Sequence, residues 1–264
     1  MDLENICHQT IALVKKTGKF IQKERENFDT SRIEFKGSHS NMVSYVDKEA
    51  EKILVKGLKM LVPEAGFITE EETETIKGEK YNWIIDPLDG TTNFLHNVPL
   101  YCVSVALECK GKVIVGVIYS VVNDECFYSW KGGGAFLNNK RITVSKAKSI
   151  EESLIATGFP YQLFDKFDNY MLIIKDFVEH THGLRRLGAA ALDLAYVACG
   201  RFEGYFEFSI KPWDIAAGIL LVKEAGGVVT DFKGGDDVLF CGEIVAGAKM
   251  QPEMLHTITK KWNL

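Results

Sequence analysis

The run Trp83-Ile84-Ile85-Asp86-Pro87-Leu88-Asp89-Gly90-Thr91-Thr92-Asn93-Phe94 ends an apolar segment on two carboxylates. Pro87 stops a strand's ladder after Asp86 and constrains the turn, so that Asp86 and Asp89 can converge on one point. Gly90 lets the backbone approach a ligand, and the amides of Thr91 and Thr92 can open a helix whose N-terminus offers unpaired donors to a phosphate. Negative charge for a metal thus stands beside neutral donors for an anion. Two carboxylates about 4 Å apart repel by ~4 kcal/mol at an effective dielectric of ~20, a sign that a divalent cation reverses. The candidate ligands are all oxygens, with no histidine or cysteine at ligand spacing, which points to hard Mg²⁺ and away from zinc, copper or iron. In isolation the same Asp-Pro-x-Asp-Gly composition also describes an ordinary turn.

Two further acidic positions could face the same cleft. Glu70 follows the strand-like Phe67-Ile68-Thr69, and Asp214 opens Trp213-Asp214-Ile215-Ala216-Ala217-Gly218. Glu70 also heads the run Glu70-Glu71-Glu72, which reads equally as a solvated face, and Asp214 reads equally as a helix N-cap.

The elements that must position these groups follow from periodicity. Leu3, Ile6, Thr10, Leu13, Val14 and Ile21 recur at helical spacing, as do Val46, Ala50, Ile53, Leu54, Leu58 and Leu61 before Pro63, so two amphipathic helices open the chain. Between them Ile33 to Gly37 and Asn41 to Ser44 form an irregular or short extended link. Strands are expected over 67–69, 83–85, 102–107, 113–119 and 125–128, with hairpin turns at Lys110-Gly111-Lys112 and Asn138-Asn139-Lys140. Successive strands without intervening helices predict a largely antiparallel sheet and a mixed α+β fold. Alternation then returns: a strand at 153–157, helices around 171–178 and 189–199, a strand at 204–207, a helix at 213–225 closed by Gly226-Gly227, a strand at 228–230 and a terminal helix after Pro252. The glycine-rich Lys131-Gly132-Gly133-Gly134 lacks nucleotide-loop spacing and reads as hairpin or loop geometry.

The 264 residues, 46% hydrophobic and 25% charged, suffice for a sizeable core and predict one domain over 1–264 with a soft internal boundary near 145–150. No basic start with an apolar stretch and no membrane-length apolar run occurs, so a cytoplasmic protein is expected. The net charge of -5 gives no footprint for nucleic acid. Six singly scattered cysteines read as reduced, mostly buried thiols.

With Glu70-Glu71 upstream of Asp86 to Phe94, and Trp213 to Gly218 followed by Glu224-Ala225-Gly226-Gly227 downstream, the chain resembles the inositol monophosphatase family of Mg²⁺-dependent, lithium-sensitive phosphatases over essentially its whole length. The resemblance implies an α/β fold, a layered αβαβα sandwich with a largely antiparallel first sheet. It implies that Glu70, Asp86, the carbonyl of Leu88, Asp89 and Asp214 bind up to three metal ions, Asp86 bridging two. Thr91 and Asp47 would orient or deprotonate the attacking water beside Glu70, and the amides of Gly90 and Thr91, with Thr92 next to them, would hold the phosphate. Glu207, Ala190 and Asp89 would contact the substrate; Glu207 could equally be a surface residue of an edge strand.

Asn41, Ser44, Ala189 and Lys211 depart from the better-known animal pattern, and Arg185-Arg186 before the helix looks more like bacterial members. The implied reaction is hydrolysis of inositol monophosphate to inositol and phosphate. Fructose bisphosphatase, histidinol phosphatase and nucleotide phosphatase activities share the metal core and stay open. So does a regulatory role on the transcription machinery, which some bacterial relatives contact. The resemblance further implies a homodimer with a small-molecule phosphate ester as its partner, and no membrane or direct nucleic-acid contact.

Overall fold

The structure, a computed structural model, describes residues 1–28, 33–35, 42–160 and 164–264. Its elements run α1 (Leu3–Glu26), β1 (Ile33–Phe35), β2 (Met42–Ser44), α2 (Tyr45–Leu61), β3 (Gly66–Thr69), β4 (Tyr81–Asp89), α3 (Thr91–Leu95), β5 (Cys102–Cys109), β6 (Lys112–Ser120), β7 (Glu125–Trp130), β8 (Gly134–Leu137) and β9 (Lys140–Ile142). They continue β10 (Leu154–Thr157), α4 (Phe167–His180), β11 (Gly183–Arg185), α5 (Ala190–Ala198), β12 (Gly204–Phe208), α6 (Pro212–Glu224), β13 (Val228–Thr230), β14 (Glu243–Gly247) and α7 (Gln251–Trp262).

Seven strands form the first sheet in the order β3-β4-β5-β6-β7-β8-β9. All its pairs are antiparallel except β3 with β4, so the sheet is mixed at that one edge. Five strands form the second, β11-β10-β12-β14-β13, with β10 parallel to both its neighbours and the rest antiparallel. Period-two alternation buries both faces of each sheet. On β4, Trp83 and Ile85 join the apolar cluster under α1 and α2, while Ile84 between them joins the cluster formed by α5 and α6. On β10, Ala156 faces that same central cluster, while Ile155 faces α4 and α7. The layers are therefore α1/α2, first sheet, α5/α6, second sheet, α4/α7: the αβαβα sandwich that the sequence resemblance implies.

The two expected hairpin turns form as left-handed pairs, Lys110-Gly111 at φ 51° and 82° and Asn138-Asn139 at 46° and 67°. β4 does not end at Asp86. Pro87 offers no N–H, so pairing with β5 lapses after Asp86↔Ser104 and resumes at Asp89↔Cys102 with a register shift. The glycine-rich stretch leads into a strand, β8, and the short strands β9, β11 and β14 lie outside those expected. The cysteines are free; Cys7, Cys102 and Cys126 are buried, whereas Cys109 and Cys199 are half-buried and Cys241 is exposed. No helix among the described residues is long and apolar enough to cross a membrane.

Candidate active site

Ser44 caps α2 in extended conformation, its hydroxyl accepting from the Val46 amide at 3.1 Å. Asp47, third in the helix, returns the bond: its Oδ2 accepts from the Ser44 amide at 2.8 Å and from the Ser44 hydroxyl at 2.6 Å. The other oxygen accepts from the Thr91 hydroxyl at 2.8 Å, across 44 residues of chain. Asp47 is 1% exposed, and burial raises its pKa against the opposing pull of these bonds.

The end of β4 supplies the next groups. Asp86 Oδ1 accepts from the Leu88 amide at 2.9 Å, a local turn that keeps its carboxylate on the strand's end. Asp89 Oδ2 accepts from the Ala191 amide at 2.7 Å, at the start of α5, and from the Cys102 thiol at 3.6 Å. Gly90 then takes φ 90°, and a Cβ there would stand 2.9 Å from the Leu100 carbonyl and 3.3 Å from the Ala189 methyl. α3 begins at once, leaving the Thr91 and Thr92 amides at its open N-terminus. The Thr91 hydroxyl also lies 3.0 Å from the Leu88 carbonyl. It carries one proton, and an ionised Asp47 is the stronger acceptor, so the Leu88 oxygen keeps its lone pairs.

Glu70 sits one residue past β3, half-buried, its amide bonded to the Ile85 carbonyl at 3.2 Å. Asp214 is the third residue of α6 rather than its N-cap; Lys211 caps the helix, and its amide donates to Asp214 Oδ2 at 2.9 Å. The acidic groups share one electrostatic neighbourhood. Burial raises the Asp86 pKa well above the carboxylate range, and the charges of Glu70, Asp89 and Asp214 push it further. Asp89 is pushed up to about 7, chiefly by burial and then by Glu70, and Asp214 well up by burial and by Asp89. Among the described residues no three such side chains already close into a ligand cage. The donor chemistry nevertheless fits a hard dication: carboxylates and a carbonyl, with a surplus of buried negative charge and one oxygen of Asp86, Asp89 and Asp214 each fixed by a main-chain N–H.

Glu207 lies on β12, the central strand of the second sheet and not an edge, which overturns the surface-residue alternative. The Tyr205 hydroxyl donates to its carboxylate, which lies against Gly158, where any Cβ would collide with it. Burial lifts its pKa to about 7, opposed by Tyr205 and by Arg186, and its charge is felt at Asp89 and Asp214. Ala190 is the first residue of α5, adjoining the Ala191 amide that binds Asp89. The structure thus links Asp47 to Thr91 and Thr91 to Leu88 by hydrogen bonds, Asp89 to the start of α5 beside Ala190, and Glu70, Asp86, Asp89, Glu207 and Asp214 through their mutual electrostatics, with Gly90 and Thr92 flanking Thr91; Asn41 lies outside the described residues.

Three contributors were not singled out from the sequence. Asn93 Nδ2 donates to the Leu100 and Leu187 carbonyls at 2.7 and 2.8 Å, tying the motif to the segment before α5. Asp193, 2% exposed with Oδ1 unpartnered, lies in the fields of Glu207 and Asp89. Glu51 is fully buried on α2. For the two acids a signal existed: Asp193 is the one charged residue in the apolar stretch Ala190–Ala198, and Glu51 falls four residues after Asp47 on the helix face that carries the apolar positions.

Comparison with known proteins agrees with this geometry. The chain is 40% identical over 248 residues to an inositol-1-monophosphatase of Mesorhizobium japonicum, covering 93% of this chain and 92% of that protein. It is 44% identical over 247 residues to a putative Nus factor SuhB of Neisseria meningitidis, covering 93% and 94%. Among solved structures it superposes on the extragenic suppressor protein SuhB of Bartonella henselae with a TM-score of 0.91, 39% identity and coverage of 98% and 99%. The inositol monophosphatase of Thermotoga maritima gives 0.87 at 34% identity, covering 96% of each chain. The family profile itself matches residues 2–263, and on that match, joined to the site just described, the chain belongs to the inositol monophosphatase family of phosphoric monoester hydrolases.

Proposed function

We propose that this chain, acting as a single phosphatase unit, hydrolyses inositol monophosphate to inositol and phosphate in a Mg²⁺-dependent reaction. The observation that carries the reading is Asp86, buried and raised in pKa, facing the charges of Glu70, Asp89 and Asp214 a short step from the Asp47–Thr91 pair. Glu70, Asp86, the Leu88 carbonyl, Asp89 and Asp214 would hold the metal. Bound Mg²⁺ would supply Lewis-acid chemistry, easing deprotonation of water and neutralising charge on the phosphate oxygens.

The chain's own groups do the rest. Thr91 takes the proton of the attacking water beside Glu70 as its own hydroxyl proton passes to Asp47. The amides of Gly90, Thr91 and Thr92, at the open start of α3, would donate to the phosphate oxygens. Glu207, held by Tyr205, accepts hydrogen bonds from polyol hydroxyls beside Ala190 and Asp89. Phosphate release from a panel of esters (inositol monophosphates, fructose bisphosphate, histidinol phosphate, nucleoside phosphates) with and without Mg²⁺ tests the reading. Equal rates without the metal would sink it, and preference for another ester would move the substrate.

The names of the SuhB relatives favour a second reading, in which the chain also contacts the transcription machinery. Asp86→Asn separates the two: a cellular phenotype that survives loss of phosphate release belongs to binding. A homodimer is part of the proposal, and light scattering on the purified chain checks it.

A further inference from the structure

We propose that Glu51 is a positioning residue for Glu70, setting the metal affinity of the site without touching metal or substrate. The inference rests on the reading of Glu70 as a Mg²⁺ ligand. Glu51 is 0% exposed, and both its oxygens are spent on the main chain just beyond Glu70: Oε2 accepts from the Glu71 amide and Oε1 from the Thr73 amide, each at 2.8 Å. The residue between those amides, Glu72, takes φ 55°, a left-handed conformation that a glutamate adopts only against a steric penalty. Two amides flanking a left-handed residue form a small anion-binding concavity, and the Glu51 carboxylate fills it.

Glu70 is thereby fixed from both sides. Its own amide is bonded to the Ile85 carbonyl at the end of β3, and the chain leaving it is clamped by Glu51. Glu51 is one helical turn after Asp47, whose carboxylate holds Thr91. A single rigid helix thus sets the Glu70 backbone and the Thr91 hydroxyl in one frame. A buried acid whose carboxylate is spent wholly on the two amides around a strained residue, directly next to a ligand position, acts on the orientation of that ligand.

The test is calorimetric titration of the intact chain with Mg²⁺ alone, for wild type, Glu51→Gln and, as a control on the exposed face of the same helix, Glu49→Gln. E51Q keeps one acceptor and should weaken Mg²⁺ binding by about 10- to 100-fold, while kcat at saturating Mg²⁺ falls far less and E49Q binds as wild type. Adding Glu72→Gly to E51Q removes the left-handed penalty and should restore part of the affinity. If E51Q lowers the melting temperature yet binds Mg²⁺ as wild type does, Glu51 is merely structural and the proposal is overturned. Should E51Q not fold, Glu51→Asp, which keeps the charge one methylene short, is read in the same way. Wild type that binds no Mg²⁺ would instead bring down the reading of the site itself.

Discussion

Replacing Asp89 with asparagine should abolish phosphate release while making the metal-free protein more stable. Asp89 rises from 3.8 to about 7 in the folded chain, principally through burial and then through Glu70. At about 1.4 kcal/mol per pKa unit, the shift of about 3 units amounts to about 4 kcal/mol. The folded state therefore binds the extra proton between about pH 4 and pH 7, so stability is full below that window and falls by about 1.4 kcal/mol per pH unit through it. Above the folded pKa the whole penalty is present. Asparagine does not titrate, and its Oδ1 can still accept from the Ala191 amide, now at 2.7 Å from Asp89.

Part of the repulsion relaxes onto the neighbouring acids in the variant, so a net gain of about 2 kcal/mol is expected near pH 8, or about 5 °C for a chain of this size. Near pH 4 the gain should vanish. Mg²⁺ at 100 times its dissociation constant should stabilise wild type by about 2.7 kcal/mol and the variant far less, inverting the order. Urea unfolding followed by circular dichroism, in EDTA and in Mg²⁺ across that pH range, reads all of this. Equal stabilities in EDTA at pH 8, or a variant that keeps the wild-type pH slope, would refute the account of a fold burdened by buried charge.

Thr91→Ala leaves Asp47 Oδ1 without its donor and should lower kcat by about 10²- to 10⁴-fold while Mg²⁺ affinity stays near wild type, separable by calorimetry and steady-state rates. Glu207→Gln should raise KM for polyol phosphates and leave hydrolysis of a small aryl phosphate nearly unchanged. Gly158→Ala, whose methyl would collide with the Glu207 carboxylate, should reproduce that split in kinetics; a uniform loss on both substrates would count against it. Gly116→Ala would place a methyl 2.8 Å from the Ala217 carbonyl and 3.0 Å from its Cα, forcing α6 outward at a cost of about 1–3 kcal/mol. Because Asp214 rides on α6, Mg²⁺ half-saturation of phosphate release should rise as well.

The residues around Asp86 to Phe94 were legible because their chemistry is local: two acids, a proline and a glycine in five positions admit few roles. Long amphipathic helices and the β5–β7 meander were legible for a similar reason, since periodicity is written in consecutive residues. β14 is not marked in the sequence because its interior position in the second sheet comes from pairing with β12, almost forty residues upstream, and its five residues carry no alternation of their own. Glu207 could not be told from an edge residue until that pairing placed β12 in the middle of the sheet. Glu51 and Asp193 were missed because a buried acid in an apolar helix betrays only that something compensates it, not what. The compensation at Glu51 comes from two amides twenty and twenty-two residues away.

Those long-range terms also explain why the site needs the whole sandwich. Asp47, Glu70, Asp86 and Asp89 come from the first sheet and its outer helices, whereas Asp214 and Glu207 come from α6 and the second sheet. Only the central apolar layer, where α5 and α6 are pressed between the sheets, fixes one set against the other. That layer can place like charges together because burial and the oriented N–H groups of Leu88, Ala191 and Lys211 act before any ion arrives. Each N–H holds one carboxylate oxygen and leaves its partner for a ligand. The fold thus carries an electrostatic load that a dication would relieve, and under the proposed reading the same load that weakens the metal-free protein draws a metal and then a phosphate to the site.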